Sequence, residues 1–293
     1  MITKTRVLVL RCTPYGDHAV VARLFTRELG AYSYMLHGIR SKKSRITPAM
    51  LHPMALLDAE VFHKPDSDLQ RVHEMHPMPI GKGGYGSSTQ LLGAGLIAEV
   101  LSQAIHDHDP QTELFDWLVD RMEVLLGTEN TAEHVFALLT DLSAWLGFSV
   151  DATTYRFGSR LSFTDGVFIV PEATPPDAKS SDHIWAKDPK DGAAKNVQNM
   201  SNQQVGTAWA TGTTPHTHSS RHVERAGEDH KRDFADAQSS FEMAYYLSNS
   251  CWPDRYKCTE AYLQAVYGLY ARHLPSFRIP RSHPMFCGLV LRN

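Results

Sequence analysis

Short apolar segments separated by turn residues occupy the first quarter of the chain. Each is eight to ten residues long and rich in the β-branched and aromatic residues that favour strands. They lie at residues 5–12, 18–26, 31–39, 54–63 and 69–76. A helical turn with Pro48 at its first position is expected between the third and fourth segments. Five strands with this interruption predict an OB-fold β-barrel.

Helical spacing of apolar residues begins after a Pro/Gly-rich stretch. Residues 88–106 have a near-helical apolar period. Asp109 followed by Pro110 predicts the N-cap and first residue of a second helix, and Asn130 with Glu133 predicts a capping-box variant for a third. This part of the chain therefore predicts three packed helices.

The remaining residues combine a hairpin, a polar insert and further helices. Asp165-Gly166 is a strong hairpin turn signal within residues 155–170. Large apolar residues are sparse from about 171 to 232, which predicts an inserted loop or a disordered stretch. Helical patterning returns near Phe234 and over residues 255–273. We therefore predict an α+β chain in three parts: an OB-fold barrel (1–78), a linker (79–87), and an α-helical domain with a small β-hairpin (88–293).

Charge is distributed unevenly along the chain. The net charge is −3, but residues 1–46 hold nine Lys/Arg and two acids, a net of +7, so the rest carries −10. Four cations lie in the segment Arg40-Ser-Lys-Lys-Ser-Arg45, where a polyanion would relieve their mutual repulsion. A solvated surface turn is the alternative. Nearby aromatic residues offer stacking faces to bases, although half or more of them are expected in the barrel core. These aromatic residues are Tyr15, Phe25, Tyr32, Tyr34 and Phe62.

Other candidate chemistry is weaker. The run Gly81-Lys-Gly-Gly-Tyr-Gly86 lacks the spacing of a phosphate-binding Walker loop and is read as a linker. His216, His218 and His222 form the closest histidine cluster, but in a polar insert without packing to orient the rings, so we predict no metal site and no cofactor. The four cysteines form no CxxC pair, which favours a reducing compartment. Helical-face acids are expected to be solvated surface: Glu99, Asp116, Asp120 and Glu123.

The sequence shows no nucleophile with an activating partner, so we expect a protein that is not an enzyme. It also shows no apolar run of about 18 residues and no signal peptide, so we expect no membrane contact.

Several motifs together resemble the RecO family of bacterial recombination mediators. They are TPYGDH, LFTRELG, LHGIRSKKSRI, LHPMALLDAEVFHKPDSDLQRVHE and, near the C-terminus, LQAVYGLYARHLPSF. The resemblance is close over residues 1–76, moderate over 88–170, and returns at about 240–280. Some members carry a four-cysteine zinc motif, which this chain lacks.

The resemblance implies a non-catalytic, cytoplasmic and nucleoid-associated protein of DNA repair and recombination. It implies binding of single- and double-stranded DNA, annealing of complementary strands, contact with the SSB C-terminal tail, and action with RecR in loading RecA onto SSB-coated DNA. The DNA-binding residues expected are Arg40, Lys42, Lys43 and Arg45, with Arg11, Arg23 and Arg71 as weaker candidates.

Two alternatives stay open. In the first, the barrel is a protein-interaction module that binds an acidic partner tail, and DNA binding is incidental. Otherwise the helical domain is an unrecognised hydrolase whose histidine-rich insert holds a metal.

Overall fold

The computed structural model describes residues 2–17, 19–39, 46–65, 67–78, 85–106, 108–171, 233–253 and 258–291. It confirms the α+β class, with a barrel followed by helices and a small two-stranded sheet. The predicted polar insert at about 171–232 and most of the predicted linker lie outside these residues. Within the described part, no helix is both long and apolar enough to cross a bilayer.

Five strands close into an OB-like barrel in the order β1-β2-β3-β5-β4. Pairing is antiparallel except between β3 and β5, and β1 closes the barrel by pairing with both β2 and β4. The predicted helical turn is a 3₁₀ turn at Pro48–Met50, with proline first. The strands are β1 (Ile2–Tyr15), β2 (Ala19–Thr26), β3 (Gly30–His37), β4 (Leu56–Phe62) and β5 (Leu69–Pro77).

Strand β1 is three residues longer at each end than predicted. Its first half pairs with β4 and its second half with β2. A register shift between Val9 and Arg11 places an extra residue, Leu10, at the point where the strand passes from one partner to the other. Such a bulge bends the strand and lets one segment serve two sides of a small barrel.

The helical domain contains six described α-helices. Helix α2 begins at Thr112, with Gln111 as N-cap, so the prediction of Asp109 as N-cap and Pro110 as first residue was wrong. The reason is tertiary: the backbone at His108 and Asp109 lies against Gly30 of the barrel. The helices are α1 (Ser88–Ala104), α2 (Thr112–Gly127), α3 (Thr131–Trp145), α4 (Ala237–Asn249), α5 (Glu260–His273) and α6 (His283–Leu289).

Local sequence explains most helix ends, with two corrections. Asn130 is the N-cap of α3 as predicted, but its side chain makes no cap hydrogen bond; its amide instead faces Glu133 at 3.5 Å. Helix α5 begins at Glu260 and not at 255, because the Thr259 hydroxyl caps it by accepting a hydrogen bond from the backbone N–H of Tyr262.

The predicted hairpin is present as β6 (Arg160–Leu161) and β7 (Phe168–Ile169). Its loop includes the expected turn residues Asp165 and Gly166. Gly166 has φ +65°, and a Cβ there would meet the Ser149 carbonyl at 2.6 Å, so glycine is required.

One hydrophobic core joins the barrel to the helices. Leu8, Leu10 and Phe25 point away from the barrel interior and belong to the same buried cluster as helices α1 to α3. The Phe25 ring lies 5.6 Å from that of Phe115 in α2. The helices therefore cover one side of the barrel and leave the rest of its outer surface for other partners.

Candidate nucleic-acid interface

The four main predicted DNA-binding residues, Arg40, Lys42, Lys43 and Arg45, lie outside the described residues. Their flanking positions are described. Ile39 is buried and Ile46 packs partly buried against the barrel core. The basic segment therefore connects two points anchored to the barrel.

Two weaker candidates, Arg11 and Arg23, face each other across neighbouring strands. They are directly paired in the β1–β2 register, next to the pair Cys12 and Ala22, which faces the barrel core. Both arginines therefore lie on the outer surface, with their Cβ atoms about 5 Å apart. Arg11 is exposed. Like charges placed directly opposite one another destabilise a sheet, so this pair favours a bound anion.

Arg23 is partly occupied by a contact with the helical domain. Its guanidinium donates a hydrogen bond to the Ile105 carbonyl at the end of α1, at 3.2 Å. Burial, and then the charge of Arg11, lower the pKa of Arg23 from its usual value. The more exposed Arg11 is therefore the more available of the two for a ligand.

Arg71 also points outward, but on β5, which lies two strands from both β1 and β2 around the closed barrel. It pairs with Met35 of β3 and with Phe62 of β4. Arg71 is exposed, and the neighbouring Phe62 side chain is 39% exposed. The two cross-strand rows that hold the three arginines contain no carboxylate: Arg11, Arg23, Ser33 and Leu69 in one, and Thr13, Val21, Met35, Arg71 and Phe62 in the other. We call these two rows the basic barrel face.

The other cations of the N-terminal segment have carboxylate partners. Lys4 pairs with Glu60 at 3.0 Å on the β1–β4 side of the barrel. Arg27 makes a two-point contact with Asp116 of α2, at 2.8 and 2.7 Å, and Arg6 donates to the same carboxylate at 2.9 Å. The charge excess of this segment is thus concentrated at the basic barrel face and residues 40–45.

Asp116 is accordingly not the solvated surface acid that helical spacing predicted. Hydrogen bonds from Arg27 hold the pKa of its carboxyl below the usual value. Glu99 also has a structural role, since it accepts a hydrogen bond from the backbone N–H of Arg281 at 2.5 Å. In both cases the partner comes from a distant part of the sequence.

Most of the candidate stacking aromatics are unavailable. Tyr32 and Tyr34 share the barrel interior, as their alternation predicted, and Phe25 is buried against the helices. Tyr15 and Phe62 remain exposed. Of the five candidate aromatic residues, only Tyr15 and Phe62 can offer a ring face to a base.

Sequence reasoning missed one cluster of chemically active side chains. Glu260, His283 and Cys287 come together in the helical domain, although 27 residues separate the first from the last. Burial raises the pKa of the Cys287 thiol to about 11. The only local signal was the i, i+4 spacing of His283 and Cys287, which predicts that they share a helix face.

Comparison with known proteins identifies the barrel and the first three helices. The protein is a two-domain α+β protein in which an OB-like barrel is docked on a helical bundle. The family model described as "Recombination protein O N terminal" matches residues 1–79. The family model described as "Recombination protein O C terminal" matches residues 87–154. Together they span about half of the chain. The chain belongs to the recombination protein O family.

Relatives named DNA repair protein RecO are similar over part of the chain. That of Azobacteroides pseudotrichonymphae is 24% identical over 193 residues, 63% of this chain and 77% of the relative. The relative from Anaeromyxobacter sp. is 33% identical over 118 residues, which cover 40% of this chain and 46% of the relative. That of Chlorobium limicola is 29% identical over 158 residues, 53% and 60%. The chain thus spans less than two thirds of the last two relatives.

Proposed function

We propose that this protein acts in DNA repair and recombination by holding single- and double-stranded DNA against the basic barrel face. The observation that carries the proposal is the direct pairing of Arg11 with Arg23, in rows that contain no carboxylate. Phosphates satisfy paired guanidinium groups without reading sequence, so binding is expected to depend on the DNA backbone. The exposed rings of Phe62 and Tyr15 add stacking surfaces for unpaired bases.

The basic segment Arg40–Arg45 extends this surface in the proposal. Its support is the sequence, with four cations in six residues, and the anchoring of its flanks, Ile39 and Ile46, to the barrel. The test is a DNA titration of Lys42→Ala/Lys43→Ala/Arg45→Ala at several salt concentrations. Affinity is expected to fall, and the log–log salt slope to decrease by about 0.7 for each lost single-strand contact. An unchanged affinity and slope would remove the segment from the interface.

The finer functions rest on the family. We propose that the protein anneals complementary strands, contacts the SSB C-terminal tail and, with RecR, helps load RecA onto SSB-coated DNA in the cytoplasm. None of these steps requires the protein to catalyse a bond change, so we propose a non-enzymatic role. Annealing of SSB-coated complementary oligonucleotides tests it: the protein should accelerate annealing over SSB alone, and no acceleration would refute the mediator function.

The alternative, a barrel that binds an acidic protein tail, is supported by the same cations. Arg71 lies between exposed apolar side chains, with Phe62 39% exposed and Leu69 45% exposed, which suits an acidic peptide that carries an apolar residue. An SSB C-terminal peptide discriminates the two. Competition with DNA for the wild-type protein indicates a shared surface, whereas simultaneous binding leaves the basic barrel face to DNA.

A further inference from the structure

Three potential metal ligands converge between the last two helices. Glu260 is the first residue of α5, and His283 and Cys287 lie one turn apart on α6. His283 is buried, Cys287 is half-buried, and Glu260 is exposed. Of the described residues, these form the group of His, Cys, Asp and Glu side chains whose ligand atoms all lie within 4.8 Å of one another.

The spacing of the three ligand atoms is close to that of a tetrahedral zinc site. Zinc bonds of about 2.0–2.3 Å place tetrahedral ligand atoms about 3.4–3.6 Å apart. Here His283 Nε2 lies 3.2 Å from Glu260 Oε1, and Cys287 Sγ lies 3.6 and 3.7 Å from the two ring nitrogens of His283. The remaining pair, Sγ and Oε1, needs to approach by about 1 Å at most.

The hydrogen-bonding demands on His283 Nε2 conflict when no ion is present. Glu260 Oε1 accepts, so it requires a proton on Nε2, whereas the Gln264 amide nitrogen, at 3.3 Å, is a donor and requires a lone pair. A single ring nitrogen satisfies one of these partners at a time. A cation bound to the Nε2 lone pair would take the carboxylate and the thiolate as co-ligands, and the Gln264 amide nitrogen would then turn away from the ring nitrogen.

A nucleophilic triad fits this geometry less well. In such a triad the acid orients one ring nitrogen while the nucleophile uses the other. Here Glu260 contacts Nε2, and the Cys287 sulfur lies almost equally far from both nitrogens. The acid and the thiol therefore do not divide the two ring nitrogens between them as a triad requires.

We propose that Glu260, His283 and Cys287 bind a zinc ion. A thiolate and an imidazole select transition metals over magnesium or calcium, and the mixed S, N and O set matches zinc in particular. With three protein ligands and an exposed Glu260, the fourth position is open to water. The ion would tie α6 to the start of α5, and so hold the end of the chain to the helical core.

The test uses the full chain, purified without an affinity tag, stripped with a chelator and titrated with zinc alone. About one zinc per chain is expected. In Cys287→Ser the zinc affinity should fall by more than about 100-fold. Losing a residue that only hydrogen-bonds to a metal ligand typically lowers metal affinity by about 10- to 100-fold, so a larger loss indicates a direct ligand. Glu260→Gln changes an exposed side chain and should weaken binding by about tenfold or more. Cobalt titration of the unaltered protein gives a readout independent of any variant, a thiolate-to-cobalt absorption band.

Two controls separate this site from other ligands. Cys251→Ser removes an exposed cysteine, and His216→Ala/His218→Ala/His222→Ala removes the histidine cluster of residues 171–232. Both should bind zinc like the wild type. Absence of stoichiometric zinc, absence of the cobalt–thiolate band, retention of zinc in Cys287→Ser, or its loss in the histidine variant would each overturn the proposal.

Discussion

At the scale of single residues, Asp116 determines which basic side chains of the barrel are available to a ligand. Its carboxylate accepts two hydrogen bonds from Arg27 and one from Arg6, across the boundary between barrel and helices. These two arginines therefore stabilise the docking of the domains, whereas Arg11 and Arg71, which have no carboxylate partner among the described residues, are left for an external anion.

We expect Asp116→Asn to destabilise the protein by roughly 1 kcal/mol at pH 7, a modest amount because the ion pair is partly exposed. The folded-state pKa of Asp116 lies below its usual 3.8, so its contribution is complete above that pH and is lost as the pH falls through the lowered value. Urea unfolding of wild type and variant should therefore differ at pH 7 and converge in acid. A difference that persists unchanged in acid would contradict this assignment.

Glu242 presents the opposite case, a buried acid in α4. Gln238 donates to its Oε1 at 2.6 Å, while Oε2 has no hydrogen-bond partner among the described residues. Burial raises its pKa from 4.5 to about 7. The folded state thus retains a proton that the unfolded state releases, and stability should fall as the pH rises from 4.5 to about 7.

Replacing this acid removes the penalty. Glu242→Gln should be more stable than wild type by roughly 2 kcal/mol at pH 8 and nearly equal to it at pH 4. Thermal unfolding across this pH range provides the measurement. Equal stability at pH 8 would show that the carboxylate is solvated or paired in the native state.

At the scale of elements, the close approach of β3 to the segment before α2 sets the domain arrangement. Gly30 has φ +80°, and a Cβ there would lie 2.5 Å from the Asp109 carbonyl oxygen. Gly38 has a similar φ of +70° but nothing within 4 Å, so it is a matched control. The Tyr32 ring adds to the same contact by stacking on the His108 ring, with the two ring centroids 4.0 Å apart.

We expect Gly38→Ala to cost about 1 kcal/mol through backbone strain alone, and Gly30→Ala to cost roughly 3 kcal/mol because it adds a steric clash. Equilibrium unfolding of both variants isolates the packing contribution as their difference. Equal losses would mean that the barrel and the helices are not in close contact at this point.

Element types followed from local pattern, while several boundaries did not. The alternation of Tyr32 with Tyr34 and the proline at the first position of the 3₁₀ turn act through neighbouring residues, so the sequence predicted both correctly. The start of α2 and the length of β1 depend on contacts with Gly30 and with two partner strands, which no local pattern records. The same limit hid the cluster of Glu260 with His283, since the two meet only after α5 and α6 pack.

At the scale of the whole molecule, the charge asymmetry of the chain becomes an asymmetry of the barrel surface. The N-terminal cations divide into those that pair with Glu60 and Asp116 and those on the basic barrel face. The sequence predicted the basic module and named Arg11, Arg23 and Arg71. It gave no physical reason for leaving out Lys4, Arg6 and Arg27, because the carboxylates of Asp116 and Glu60 reach these cations only through the fold.

The most direct test of the basic barrel face is the salt dependence of single-stranded DNA affinity for Arg11→Ala/Arg71→Ala. Lys4→Ala is the matched control, because it removes an exposed cation of the same barrel that already pairs with Glu60. We expect weaker binding by the double variant, with a salt slope smaller by about 1.4 for two lost phosphate contacts, and near wild-type binding by Lys4→Ala. Equal losses in the two proteins, or unchanged binding by the double variant, would contradict it.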